Sequence, residues 1–143
     1  MYIEKNKEIG KIELKFNGKV AIKRFHNRGA ILSLGEKKQH FIAILSLVCT
    51  ILVTGIFGVI LKKKGRHVLK TGLALILGGA YSNTYDRIKR KYVVDYLSFP
   101  IGIHNTLIGK LLKKFGTIVF NISDFGIIIG SILLVISEQG GKI

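Results

Sequence analysis

Long apolar segments alternate with short basic ones along this chain of 143 residues. Residues 41–61 contain no charged side chain. A second apolar segment, 116–137, contains a single charge, Asp124, and a shorter one, 68–82, is interrupted only by Lys70. A helix of about 20 predominantly apolar residues crosses the hydrocarbon core of a bilayer. The pattern therefore predicts three transmembrane helices, at 41–61, 68–82 and 116–137.

A different period marks the N-terminal part of the chain. Apolar residues recur at every second position on either side of Asn17-Gly18: Ile12, Leu14, Phe16, Val20 and Ile22. Period two is typical of half-buried strands, and Asn-Gly favours a tight two-residue turn. We expect a hairpin here, within a β cradle over residues 1–40 that lies on the periplasmic or extracellular membrane surface.

The segment 83–115 between the second and third predicted spans has features of its own. Val93–Phe99 is rich in residues typical of strands. After Pro100 and Gly102, apolar residues recur at helical spacing: Leu107, Ile108, Leu111, Leu112 and Phe115. This spacing predicts either an amphipathic helix in the membrane interface or a loop helix packed on the bundle. The predicted fold class is a membrane all-α bundle with a small β-hairpin cradle and an interfacial helix.

The net charge of +15 changes the picture of partners and topology. The basic residues lie between the apolar segments and form no stripe with interleaved aromatic residues, which argues against nucleic acid and for anionic lipid headgroups. The segment Lys62-Lys63-Lys64-Gly65-Arg66-His67 contains no acid and predicts a cytoplasmic loop. Residues 1–40 and 83–115 would then lie on the outer side of the membrane, and the protein would be multi-pass.

Two acids are the strongest candidates for chemistry. Asp124 lies in an apolar segment, where a carboxyl costs roughly 2.5–3.5 kcal/mol to insert, and Asn121 precedes it by three residues, on the same face of a helix. Asp95 follows two valines at the predicted membrane boundary. Two carboxyls brought together cannot both ionise, and such a pair can activate water for attack on a peptide carbonyl.

Other candidate groups have simpler interpretations. Asn83 and Arg87 are neighbours if the second span stays helical that far, and Asp86 is expected to pair with Arg87 or Arg90 at the surface. Gly78-Gly79-Ala80 favours close helix approach. The four histidines do not have the spacing of metal ligands. Cys49 is the only cysteine in the sequence, so an intramolecular disulfide is excluded. No metal or cofactor is predicted.

Several of these residues together resemble the signature of the lipoprotein signal peptidases, the signal peptidase II family. The matching elements, in chain order, are Asn27-Arg28-Gly29-Ala30 with Ser33, Gly78-Gly79-Ala80 with Asn83 and Asp86-Arg87, Val93-Val94-Asp95-Tyr96, and Phe120-Asn121 with Ser123-Asp124. The order and spacing of the set are more specific than any single element.

The resemblance implies an intramembrane aspartic endopeptidase of the bacterial cytoplasmic membrane. Its implied reaction is cleavage of a prolipoprotein signal peptide just before the diacylglyceryl-modified cysteine. Asp95 and Asp124 match the catalytic pair of the family. The residues matching those that line the site and recognise substrate are Asn27, Gly29, Asn83, Arg87 and Asn121.

One departure keeps alternatives open. The family has four spans, and residues 1–11 are polar where the first is expected. The chain would be a short member, with a partner helix in place of that span. A non-catalytic member that binds lipidated peptides or a membrane partner is the main alternative. A structural or pore-forming protein outside the family would make the placement of both acids coincidental.

Overall fold

The computed structural model describes residues 2–29, 38–100 and 116–140. The chain divides into two compact units. The sheet unit comprises Met1–Glu36 and Tyr92–Asn121, and the helical unit comprises Lys37–Lys91 and Ile122–Ile143. The predicted interfacial helix around Leu107–Phe115, together with Ala30 and Ser33, lies outside the described residues.

The sheet unit contains a short helix and three strands. They are α1 (Tyr2–Asn6), β1 (Ile12–Lys15), β2 (Val20–Asn27) and β3 (Val93–Ser98). The strands form an antiparallel sheet in the order β1-β2-β3. The prediction of a small N-terminal sheet is confirmed, and β3 joins it from far along the chain.

The connection between β1 and β2 is longer than predicted. Lys15 pairs with Val20, so four residues and not two form the loop. Phe16, Asn17 and Gly18 all have positive φ angles, and the Lys19 N–H donates to the Phe16 carbonyl at 3.2 Å. The left-handed conformation begins at Phe16, which removes that residue from the strand and makes the predicted two-residue turn wrong.

Strand β3 carries the core of the sheet unit. Val93, Val94 and Asp95 are consecutive and are each at most 2% exposed, so both faces of the strand are covered there. On the edge of β3 away from β2, Phe120 forms an isolated antiparallel bridge with Leu97. Backbone hydrogen bonds of 2.6 and 2.8 Å join these two residues. This bridge fixes the backbone immediately before Asn121.

The helical unit consists of α2 (Gln39–Leu61), α3 (His67–Arg90) and α4 (Ile122–Gly140). Helix α3 packs against both α2 and α4. Glycines bring α3 and α4 into close contact. A Cβ added at Gly72 would lie 2.8 Å from the Gly130 carbonyl oxygen, and one at Gly79 would overlap the Ser123 carbonyl oxygen. Gly78, by contrast, faces open space.

Among the described residues, two helices are long and apolar enough to cross a membrane: Gln39–Leu61 and Ile122–Gln139. Helix α3, predicted as a span over 68–82, does not meet that criterion and continues to Arg90. The structure thus supports two of the three predicted spans by length and composition. The predicted span 116–137 would place Asp124 about eight residues from its start. Helix α4 instead begins at Ile122, so Asp124 lies in its first turn.

Candidate active site

Asp95 is held in the sheet unit by two asparagine side chains. The Asn27 amide donates to Asp95 Oδ2 and the Asn121 amide donates to Oδ1, each at 2.9 Å. Asp95 is 2% exposed and lies opposite Phe25 across the β2–β3 pair. Because each carboxyl oxygen accepts an amide N–H, the orientation of this buried acid is defined from both sides.

The orientation of Asn27 is itself fixed by Gly29. The backbone N–H of Gly29 donates to Asn27 Oδ1 at 3.1 Å. That contact turns the carbonyl end of the amide toward Gly29 and leaves the NH₂ end for Asp95. Gly29, predicted to line a site, therefore acts through Asn27 in the described contacts.

Asn121 occupies a different position from the one predicted. It was expected on the same helical face as Asp124, but α4 begins one residue later, at Ile122. The Phe120–Leu97 bridge keeps Asn121 extended and beside β3. The residue is 4% exposed, and its side chain consequently contacts Asp95.

Removing the Asn121 amide should measurably destabilise the protein. Asn121→Ala withdraws a donor from a buried carboxyl oxygen, which costs about 1–3 kcal/mol. We expect the free energy of unfolding in detergent to fall by that amount. Asn6→Ala is the matched control, because the Asn6 amide makes an exposed bond to the Tyr2 carbonyl. Equal losses for the two variants would contradict this account of the Asn121 contact.

Asp124 has an amide partner within the helical unit. The Asn83 side chain on α3 donates to Asp124 Oδ1 on α4 at 3.0 Å. Asn83 is 9% exposed, and it lies one turn beyond Gly79, where α3 and α4 are in close contact. Asp124 lies in the first turn of α4.

Arg87 and Asp86 lie on the last turns of α3. The helix continues past Arg87, as required for its predicted neighbour relation with Asn83, and Arg87 Nη1 donates to the Asn83 carbonyl at 3.4 Å. Asp86 pairs with Arg90 at 3.2 Å. This is one of the two surface pairs expected for Asp86, and it leaves Asp86 outside the candidate site.

The predicted site residues therefore form two groups. The sheet unit contains Asp95 with Asn27, Gly29 and Asn121, and the helical unit contains Asp124 with Asn83 and Arg87. Sequence analysis identified these residues but not which amide serves which acid. It also missed the pairing of Phe25 with Asp95, for which a single sequence contains no local signal. Within residues 2–29, 38–100 and 116–140, no three His, Cys, Asp or Glu side chains could jointly hold a metal.

In each group, an uncharged asparagine amide donates a hydrogen bond to the carboxyl. Amide N–H groups orient a carboxyl oxygen and stabilise negative charge on it without themselves exchanging protons. Such an acid is suited to accept a proton from water or to donate one. The arrangement fits acid–base chemistry on a polar bond, with the amides as orienting groups.

The sequence of this chain is similar to a family of known proteins. The profile of the family described as signal peptidase (SPase) II matches residues 1–139. The lipoprotein signal peptidase of Clostridium tetani is 34% identical over 110 residues, covering 77% of this chain and 63% of that protein. That of Caldicellulosiruptor bescii is 30% identical over 127 residues, covering 87% and 72%. The chain thus spans less than two thirds of the Clostridium relative.

Two solved structures, each described as a bacterial membrane enzyme, have the same fold. One has a TM-score of 0.78 and 22% identity, and the similarity covers 99% of this chain and 78% of that structure. The other has a TM-score of 0.70 and 24% identity, covering 94% and 79%. The similarity to these structures shows the fold, and helices α2 and α4 are long and apolar enough to cross a membrane. On the profile match and the identity to its relatives, the chain belongs to the signal peptidase II family.

Proposed function

We propose that the chain is an intramembrane aspartic endopeptidase of the cell membrane. Its substrate is a prolipoprotein, cleaved just before the cysteine that carries a diacylglyceryl group. Asp95 and Asp124 are the catalytic pair, and Asn27, Asn83 and Asn121 orient them. Gly29 and Arg87 complete the lining of the site. The lipoprotein signal peptidases of Clostridium tetani and Caldicellulosiruptor bescii support this substrate class.

The observation that carries the proposal is that the two acids have the same kind of hydrogen-bond partner. Each accepts a hydrogen bond from an asparagine side chain, at 2.9 Å for Asp95 and 3.0 Å for Asp124. Asp95 is almost completely buried. Burying a carboxyl is costly, and two independently built carboxyl–amide sets are better explained by a chemical role than by packing.

Chain connectivity supports joint action of the two acids. Asn121, which contacts Asp95, precedes Asp124 by three residues. Three residues of extended chain span at most about 11 Å. The sequence thus limits how far Asp124 can be from a residue that already contacts Asp95.

In the proposed reaction the pair holds one proton. The ionised carboxyl takes a proton from water as the water oxygen attacks the peptide carbonyl carbon, and the other carboxyl protonates the carbonyl oxygen. The tetrahedral intermediate then loses its C–N bond. The proton taken from water passes to the departing amine nitrogen, and a hydroxyl proton returns to the second carboxyl. The amides keep both acids oriented throughout.

The direct test uses the purified full chain in lipid vesicles with a precursor peptide carrying the diacylglyceryl-modified cysteine. We expect mass spectrometry to detect the free signal peptide and a product that begins at the modified cysteine. The same peptide without the lipid should be cleaved far more slowly. Binding of the lipidated peptide without any cleavage would contradict the proposed enzyme and support the non-catalytic alternative.

A further inference from the structure

A cluster of polar side chains joins α1 to the sheet. The Glu4 carboxylate accepts a hydrogen bond from the Tyr92 hydroxyl at 2.9 Å and pairs with Arg24 Nε at 3.2 Å. His26 Nε2 also lies 3.2 Å from Glu4 Oε2, and the His26 ring stacks on the Tyr92 ring with centroids 3.9 Å apart. A single carboxylate thus connects β2 with Tyr92, the residue immediately before β3.

The Glu4 cluster lies behind the end of the sheet that holds Asp95. His26 pairs with Val94, and its neighbour Asn27 pairs with Val93. Side chains alternate between the faces of a strand, so Asn27 and Asp95 share one face and His26 faces the other. Arg24 and His26 of β2 both contact Glu4, and His26 is covalently adjacent to Asn27, which contacts Asp95.

The pairing of β2 with β3 is irregular beside this cluster. Ile22 pairs with Leu97 and Phe25 pairs with Asp95, so two residues of β2 face one of β3 between these points. Arg24 lies in this bulge. Bulges weaken the local ladder and redirect side chains near functional sites. Contacts beyond the backbone are needed to fix the strands at this point, and those of Glu4 supply them.

The Glu4 carboxylate is well suited to this role. Its side chain is 21% exposed, and those of Arg24 and His26 are 20% and 18% exposed. Burial raises the pKa of Glu4, but hydrogen bonds from Tyr92 and His26 and the positive charges of His26 and Arg24 outweigh it and lower the pKa below its usual value. Glu4 is therefore ionised at neutral pH, when its contacts with Arg24 are strongest.

We propose that Glu4 is a positioning residue for Asp95. By holding β2 to the start of β3 on the opposite face of the sheet, it fixes the distance between the Asn27 amide and the Asp95 carboxyl. This inference rests on the proposed function, in which Asp95 takes part in proton transfer. It assigns to α1 a role in the chemistry through the sheet.

The test compares three substitutions in the full chain in lipid. Glu4→Ala removes the carboxylate, and Glu4→Gln retains an acceptor oxygen for the Tyr92 hydroxyl. The control is Glu13→Ala, which breaks a partly exposed ion pair between Glu13 of β1 and Lys7. We expect Glu4→Ala to lower kcat by about tenfold, because small displacements of reacting groups are costly. KM should change by less than about twofold. Glu4→Gln should recover part of the loss, and Glu13→Ala should match the wild type.

A double substitution separates positioning from general destabilisation. In an Asn27→Ala background the amide that Glu4 positions is absent, so adding Glu4→Ala should lower kcat by less than about twofold. A loss of folded protein would instead lower kcat by the same factor in both backgrounds, and that result would overturn the proposal.

Hydrogen exchange gives a readout that needs no activity. Glu4→Ala should increase backbone exchange at residues 24–27 and 93–95 and leave α3 and α4 unchanged, whereas Glu13→Ala should leave both strand segments protected. If the wild type does not cleave the precursor, the proposed function fails, and the exchange data still decide whether Glu4 holds β2 to the start of β3. Increased exchange confined to those segments supports it, and unchanged exchange overturns it.

Discussion

Asp124→Asn should reduce cleavage of the lipid-modified precursor by about a thousandfold or more, and Asp95→Asn should do the same. Asparagine has nearly the same shape as aspartate but cannot exchange a proton, so general acid–base catalysis is lost. The readout is the initial rate of signal peptide release in vesicles, measured at equal amounts of folded protein. Asp124→Asn is the cleaner variant, because at position 95 the new amide would meet donors from both Asn27 and Asn121.

Asp86→Asn provides the matched control for this experiment. Asp86 is exchanged for the same residue type, but it pairs with Arg90 on α3 and lies outside the candidate site. Partly exposed pairs of this kind contribute about 0–1 kcal/mol, so activity should stay within about twofold of the wild type. Unchanged cleavage by Asp124→Asn, or equal losses at positions 86 and 124, would remove the aspartate pair from the mechanism.

Gly79→Ala should weaken both the fold and the activity. The new methyl group would overlap the Ser123 carbonyl oxygen and lie 2.7 Å from Ile127 Cγ1, so α4 must shift away from α3. Overpacking of this kind costs about 1–3 kcal/mol. The Asn83–Asp124 hydrogen bond joins the same two helices one turn away. We expect a lower thermal midpoint in detergent and a cleavage rate reduced by about tenfold or more, since misplacement of about 1 Å can cost a hundredfold.

Gly78→Ala is the neighbouring control, because nothing lies within 4 Å of a Cβ at that position. Replacing a helical glycine by alanine favours the helix by up to about 1 kcal/mol. This variant should therefore be as stable as the wild type or slightly more stable, with unchanged activity. If Gly78→Ala and Gly79→Ala behave alike, close approach at Gly79 does not determine the position of Asp124.

The sequence predicted those features that depend on neighbours in the chain. The uncharged segment 41–61 corresponds to α2, and the alternating residues before Asn17 correspond to β1. The pair between Asp86 and Arg90 follows from their spacing of four residues on a helix. In each case the contacts that define the feature lie within one element, so local pattern is sufficient.

Features that depend on distant backbone contacts were not predictable in the same way. Asn121 was predicted to lie on a helix because residues 116–137 are predominantly apolar, but the bridge from Phe120 to Leu97 delays the start of α4. The sequence does not show which of Gly78 and Gly79 faces a neighbouring helix. Only the position of α4 shows that Gly79 allows the close approach. The amide partners of Asp95 likewise come from two remote segments.

The sheet unit is discontinuous in sequence, and this affects the order in which a growing polypeptide can acquire its structure. Strands β1 and β2 can pair as soon as both have left the ribosome. Asn27 can bind Asp95 only after a further 68 residues have been synthesised. Closing so large a loop carries an entropic cost, which slows this step relative to local pairing. Helices α2 and α3 are synthesised in the interval, so Asp95 acquires its covering late in biogenesis, after most of the helical unit already exists.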